Sequence, residues 1–217
     1  MGNIFSEIDM IVFGTLVDIT DRRRPFAHLK QKMTPEKVSR FRRMAMTTEL
    51  TLAKLDAEIE GGATIGDLVV AQTAIAREVV SARLRDSVAE MLAALPIRYG
   101  VCSNLSVDYV AALARFPEIT PMFRILSCQV GSMKPDRAIY DRVIQAAGVP
   151  PHRILFTGDT IAADIEGLAQ AGMRAMHIDD LIAALTGGKS GPDQPDTFAN
   201  AFSAARGFVS KSIDLES

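Results

Sequence analysis

"GSMKPDRAIYDRVIQAAGVPPHRILFTGDTIAADIEGLAQAGM", residues 131–173, sets a helix-period run, a short β-rich run and a second helix-period run in series. From Asp136 to Gly148 apolar residues recur three or four apart and a glycine closes the run. "RILFTG" (153–158) then reads as a strand, and "AADIEGLAQAG" (162–172) repeats the helical spacing with its own closing glycine. The alternation continues outward. "IRYGVCS" (97–103), "FRILSCQV" (123–130) and "RAMHI" (174–178) read as strands, and "VDYVAALARF" (107–116) as a helix. Strand then helix, repeated, predicts an α/β fold: a doubly wound parallel sheet with helices on both faces. Ile11 to Phe13, inside "IVFGTLVDIT" (11–20), supply a further, central strand.

Residues 24–84 have another character. Thr34-Pro35 suits a helix start, with threonine as cap and proline in the first turn. "EKVSRFRRMAMTTELTLAKLDAEIE" then holds helical period to Gly61-Gly62, and a second helix follows from Asp67. This predicts a helical insertion after the first strand, returning at Asp86-Ser87. The expected division is a core of residues 1–20 and 86–185, a helical cap of 21–85, and a linker and tail of 186–217. "TGGKSGPDQPD" is linker-like by composition. Phe198, Phe202, Ala205 and Val209 at helical spacing predict a tail helix docked on its own domain.

Composition sets the outer limits. The chain has 217 residues and a net charge of −2, which gives no basic field for nucleic acid. The run of bases from Arg22, Arg23 and Arg24 through Lys30, Lys32, Lys37, Arg40, Arg42 and Arg43 reads as a solvated helical face. Cys102 and Cys128 lie in apolar runs outside any metal-ligand spacing and read as buried thiols of a reducing compartment. "MGNIFSEIDM" fits an acylation pattern through Gly2 and Ser6, but it is read as a leader into the first strand rather than as a secretory signal. No apolar run reaches the ~20 residues of a membrane span. A cytoplasmic protein, monomer or homodimer, is expected.

Ligands of open α/β sheets bind beyond the carboxyl ends of the strands. There the chain offers Ser103-Asn104, Lys134-Pro135, Gly158-Asp159-Thr160 and, further on, Asp164. Each has an ordinary use: Ser103, Asn104, Asp159 and Thr160 can cap helices, and Lys134 can be an exposed loop lysine. Their shared edge makes the stronger case. A hydroxyl, an ammonium and two carboxylates together suit a phosphate and its metal.

In order and spacing these motifs resemble the haloacid dehalogenase (HAD) superfamily, with the helical cap of its first cap class. The resemblance covers about residues 8–185 and is most specific over 131–173, where Lys134-Pro135 and Gly158-Asp159-x-x-x-x-Asp164 fall in the family's order. It implies that Ser103, Asn104, Lys134 and Thr15 bind phosphate and that Asp159 and Asp164 support Mg²⁺. The Gly-Asp form is similar to the metal-dependent phosphatases rather than to the metal-free dehalogenases. Phe41, Met44 and Met46 of the cap are candidates to line the pocket, although packing in the helical core is the ordinary role for any one of them.

The opening motif departs from the family. That motif is Asp-x-Asp-Gly-Thr or Asp-x-Phe-Gly-Thr, its first Asp attacking phosphorus; aligned without a gap, Ile11 stands at the nucleophile and Phe13 at the acid/base. A three-residue deletion between Phe13 and Gly14 is the preferred register, because the ungapped one pushes Asp9 into the buried middle of a strand, where a lone carboxylate is costly. In either register the attacking oxygen is missing. Asp9 would stand about 13 Å from the strand end, against the roughly 3–3.5 Å an attack requires. Asp18, beyond the Gly14-Thr15-Leu16 turn, would need that turn refolded. The resemblance therefore implies a phosphatase-like protein that binds a small phosphorylated metabolite with weak or no turnover, and with Mg²⁺ held weakly or not at all. The alternatives are a non-enzymatic interaction protein using this fold, or an active enzyme whose sequence carries a three-residue deletion.

Overall fold

The structure, a computed structural model, describes residues 7–159 and 161–186, without the side chains of 161–165 and 186. Met10, Ile11, Val12 and Phe13 are fully buried and form β1 (Met10–Phe13). An all-apolar run buried on both faces is what a central parallel strand requires. Two strands follow outside the main sheet, β2 (Val17–Ile19) and β3 (Ala82–Leu84), and pair antiparallel. The main sheet is completed by β4 (Arg98–Ser103), β5 (Arg124–Leu126), β6 (Ile154–Gly158) and β7 (Arg174–His177). Its order is β5-β4-β1-β6-β7 and all its pairings are parallel. Phe13 stands level with Val101 on β4 and Thr157 on β6. Ser103 and Asp159 thus lie two residues beyond the end of β1.

Side chains of a strand alternate between faces, and β1 fills two cores accordingly. Ile11 and Phe13 join Val88 and Met91 of α5 (Val88–Ala94) and Leu181 of α10 (Ile178–Thr186). Met10 and Val12 join Ile139, Tyr140 and Val143 of α8 (Arg137–Ala147) and Leu168 of α9 (Ile161–Gln170). The sheet is doubly wound. Gly148, left-handed at φ 65°, ends α8 where the sequence places its stop.

A third cluster unites the helices between β2 and β3: α1 (Ala27–Lys30), α2 (Pro35–Thr47), α3 (Leu52–Glu58) and α4 (Ile65–Ser81). Phe41 is fully buried there, its ring edge-on to Phe26 at 5.4 Å. The single helix expected from Thr34 to Gly61 is instead two. Thr47 and Thr48 give their hydroxyls to the carbonyls of Arg43 and Met44 at 2.8 Å each, and Thr48 leaves the helix in an extended conformation. Threonine hydroxyls compete with the helix ladder in this way.

Two further expectations are corrected. "FRILSCQV" is a strand only to Leu126; α7 (Ser127–Val130) follows, ended by Gly131 at φ 73°. "VDYVAALARF" makes a 3₁₀ turn, Val107–Tyr109, and the short α6 (Val110–Leu113). The β2–β3 ribbon and α10 were not foreseen, three-residue strands being too short to show a period. The tail positions Phe198, Phe202, Ala205 and Val209 lie outside the described residues. Among the described residues no helix is long and apolar enough to cross a membrane. Both cysteines are buried and neither is in a disulfide.

α4 opens with a reciprocal cap between Thr64 and Asp67. Asp67 also accepts from Lys32 Nζ at 2.5 Å and lies 3.2 Å from His28 Nε2. The Lys32 ammonium first, and then the Thr64 hydroxyl and amide, hold its carboxyl far below the usual range. A depressed carboxyl contributes stability above its unfolded pKa of about 4 and loses it as pH falls. Asp67→Ala should therefore lower the melting temperature near neutral pH, with the gap to wild type closing as melts are taken below about pH 4.

Candidate functional site

β1 ends at Phe13, and the Gly14 N–H gives a last rung of the ladder to the Thr157 carbonyl at 2.6 Å before the chain bends away. Thr15 then gives its hydroxyl to Asp159 Oδ1 at 2.7 Å. The first turn is thereby tied to the end of β6. A residue extending β1 would face Cys102 and Gly158 by register, and Gly14 occupies that place. A Cβ on residue 14 would lie 3.1 Å from Lys134 Nζ and 3.2 Å from the Phe156 ring. The ammonium, 5.2 Å over that ring, is thus already against the spot where a carboxylate would project.

Asn104 fixes the backbone of the lysine. Its Oδ1 accepts from the Lys134 N–H at 2.7 Å and its Nδ2 donates to the Lys134 carbonyl at 2.9 Å. These two bonds give Asn104 a positioning task, and they use one of the two N–H groups of its amide. Ser127, fully buried, takes the Leu105 N–H at 2.9 Å and shapes the same loop. Nothing in its sequence context distinguishes it from an ordinary strand serine.

Asp159 is 38% exposed and ionised. Burial pushes its carboxyl up, but the Thr15 hydroxyl, its own backbone and the charges of Arg85 and Lys134 outweigh that and hold it below the usual range. Its second oxygen, Oδ2, lies 3.6 Å from Arg85 Nη1. Asp164 sits on α9, its side chain outside the described residues, as is Thr160.

Beside this edge a cavity of about 240 Å³ is lined by Gly14, Thr15, Asp18, Ser103 and Asp159 together with Leu16, Leu105 and other apolar groups. Phe41, Met44 and Met46 do not line it; Phe41 is core and Met44 packs against that core. Of the basic run, Arg22 reaches the cavity, whereas Arg43 crosses to Asp136 at 2.7 Å. Ile11 stands level with Tyr99 and Leu155, four residues short of Ser103 and Asp159. Asp9 precedes β1 and is paired with Arg153 through both its oxygens, at the opposite edge of the sheet. Asp18 lies on β2 opposite Arg83.

The family model for haloacid dehalogenase-like hydrolases matches residues 12–172. The chain belongs to the haloacid dehalogenase-like hydrolase family. Solved structures of similar fold include a predicted HAD-like family hydrolase from Porphyromonas gingivalis, 20% identical over 79% of this chain and 91% of that one, TM-score 0.54. A HAD family enzyme from Bacteroides thetaiotaomicron, in complex with magnesium and inorganic phosphate, is 17% identical over 88% and 99%, TM-score 0.56. CbbY from Rhodobacter sphaeroides, in complex with phosphate, is 21% identical over 78% and 85%, TM-score 0.51. A comparison with curated proteins found no match.

Of the two acids expected to support magnesium, Asp159 alone has its side chain among the described residues. No group of three or more His, Cys, Asp or Glu among them is arranged to hold a metal. One oxygen of Asp159 is taken by Thr15 and the other faces a guanidinium, whereas Mg²⁺ demands near-octahedral oxygen ligands at about 2.0–2.1 Å.

Proposed function

We propose that this chain is a phosphatase-like protein that binds a small phosphorylated molecule at the strand ends and hydrolyses it weakly or not at all. The observation that carries the reading is the junction of Phe13 with Gly14: the place at the end of β1 beside Lys134 Nζ is held by a glycine, which offers no carboxylate. Without it no covalent aspartyl-phosphate can form by the family's route. The groups that hold an anion remain. Lys134, fixed through its backbone by Asn104, supplies positive charge, and the hydroxyls of Ser103 and Thr15 line the neighbouring cavity. The binding we propose rests on these groups and not on magnesium. It is supported by the phosphate found in two of the structural neighbours, and by an aspartate-to-alanine mutant of the Bacteroides enzyme that still carries magnesium and phosphate.

Calorimetric titration with inorganic phosphate, in metal-free buffer, tests this. Dissociation constants near 1 mM or below are expected, weakened at least about tenfold in Lys134→Ala by loss of a close charge. Absence of heat at millimolar phosphate overturns the reading.

A further inference from the structure

Arg85 follows β3 at the point where the chain re-enters the core. Its N–H donates to the Leu16 carbonyl at 3.1 Å, which seats the side chain over the edge of the sheet. The guanidinium is 17% exposed and meets three carboxylates from three separate elements. Nη1 lies 3.6 Å from Asp18 Oδ1 on β2 and 3.6 Å from Asp159 Oδ2 beyond β6; Nη2 lies 3.0 Å from Asp179 Oδ1 in the first turn of α10. One fixed cation thus serves three anions brought together by the fold.

We infer that Arg85 is a resident cation of this acidic rim, so that a divalent metal bridging Asp159 to Asp18 or Asp179 binds only by displacing its guanidinium. An ion seated about 2.1 Å from Asp159 Oδ2 and facing Arg85 would come to about 1.5 Å from Nη1, a collision. A guanidinium pairs readily with carboxylates through its planar fork of donors. Withdrawing it leaves three acids without their shared counter-charge, a setting that favours a divalent ion. The inference rests on Asp159 being the acid of the rim and needs no phosphate ligand.

Mn²⁺ binding to the metal-free full chain, followed by the loss of the free-ion paramagnetic resonance signal, tests it separately from the phosphate titration. Wild type should bind more weakly than about 1 mM, and Arg85→Gln at least about tenfold tighter. Arg85→Lys, which keeps the charge on a shorter reach, should fall between them. In Arg85→Gln/Asp159→Asn the gain should vanish. Arg85→Gln binding no tighter than wild type while folded by circular dichroism overturns the inference, as does micromolar Mn²⁺ binding by wild type or a gain that survives Asp159→Asn. If Arg85→Gln does not fold, the Arg85→Lys comparison decides by the same rule.

Discussion

Insertion of Asp-Leu-Asp between Phe13 and Gly14 should raise hydrolysis of p-nitrophenyl phosphate, assayed with magnesium present, by about 10³-fold or more over the parent chain. The expected size follows from what is restored: a nucleophile that divides one difficult displacement into two easier ones. The geometry is prepared for it. The first inserted residue would continue β1 to the level of Cys102 and Gly158. Its side chain would project beside Lys134 Nζ, which stands 3.1 Å from a Cβ built at that place. The Gly14–Thr157 hydrogen bond would be given up and the turn carrying Thr15 moved outward. Insertion of Asn-Leu-Asp, equal in length but without the attacking oxygen, should stay at the parent's level. A folded Asp-Leu-Asp variant no faster than the parent would show that the vacancy is not what limits the chemistry.

Glu78 should be among the most costly single positions, with Glu78→Ala losing about 3–5 kcal/mol of unfolding free energy. The residue is 6% exposed on α4 and takes three donors. The N–H groups of Arg23 and Arg24 reach Oε1 at 2.6 and 2.9 Å, and the Tyr109 hydroxyl reaches Oε2 at 2.5 Å. Burial, then the Glu78 hydrogen bond and charge, hold the phenol far above its usual range, so it remains a donor. Removing the carboxylate leaves all three donors without it, whereas Tyr109→Phe removes one and should cost about 1–3 kcal/mol. Chemical denaturation of the two variants beside Glu78→Gln, which keeps one acceptor oxygen, gives the expected order. A loss below about 1 kcal/mol for Glu78→Ala would mean that water replaces the carboxylate there.

The layering was open to reading because its signals are long. A four-residue apolar run at β1, glycine stops at 148 and 172, and alternating periods from 97 to 178 each recur at the scale of an element. What escaped was short or decided by side chains meeting across the chain. β2 and β3 have three residues each, and their pairing is tertiary. "SCQV" carries β-like residues yet turns helical once Ser127 is buried against the Leu105 backbone. The break after α2 depends on two threonines bonding backward, which periodicity does not register. At the site, Ser103, Lys134 and Asp159 could be singled out because strand ends are where ligands bind. Arg85 could not: its partners lie 67, 74 and 94 positions away. The clasp of Asn104 on the Lys134 backbone could not be read either, since an amide that holds a backbone has the same letter as one that meets a ligand.

The ribbon of β2 and β3 carries one last implication. The chain departs and comes home through two strands that lie side by side, about 4.7–4.9 Å apart, with the Leu16–Arg85 bond adding a further rung. A doorway so narrow makes the helical roof an appendix to the sheet rather than part of its threading. The roof could be exchanged for another, larger or smaller, without rerouting a single strand below it.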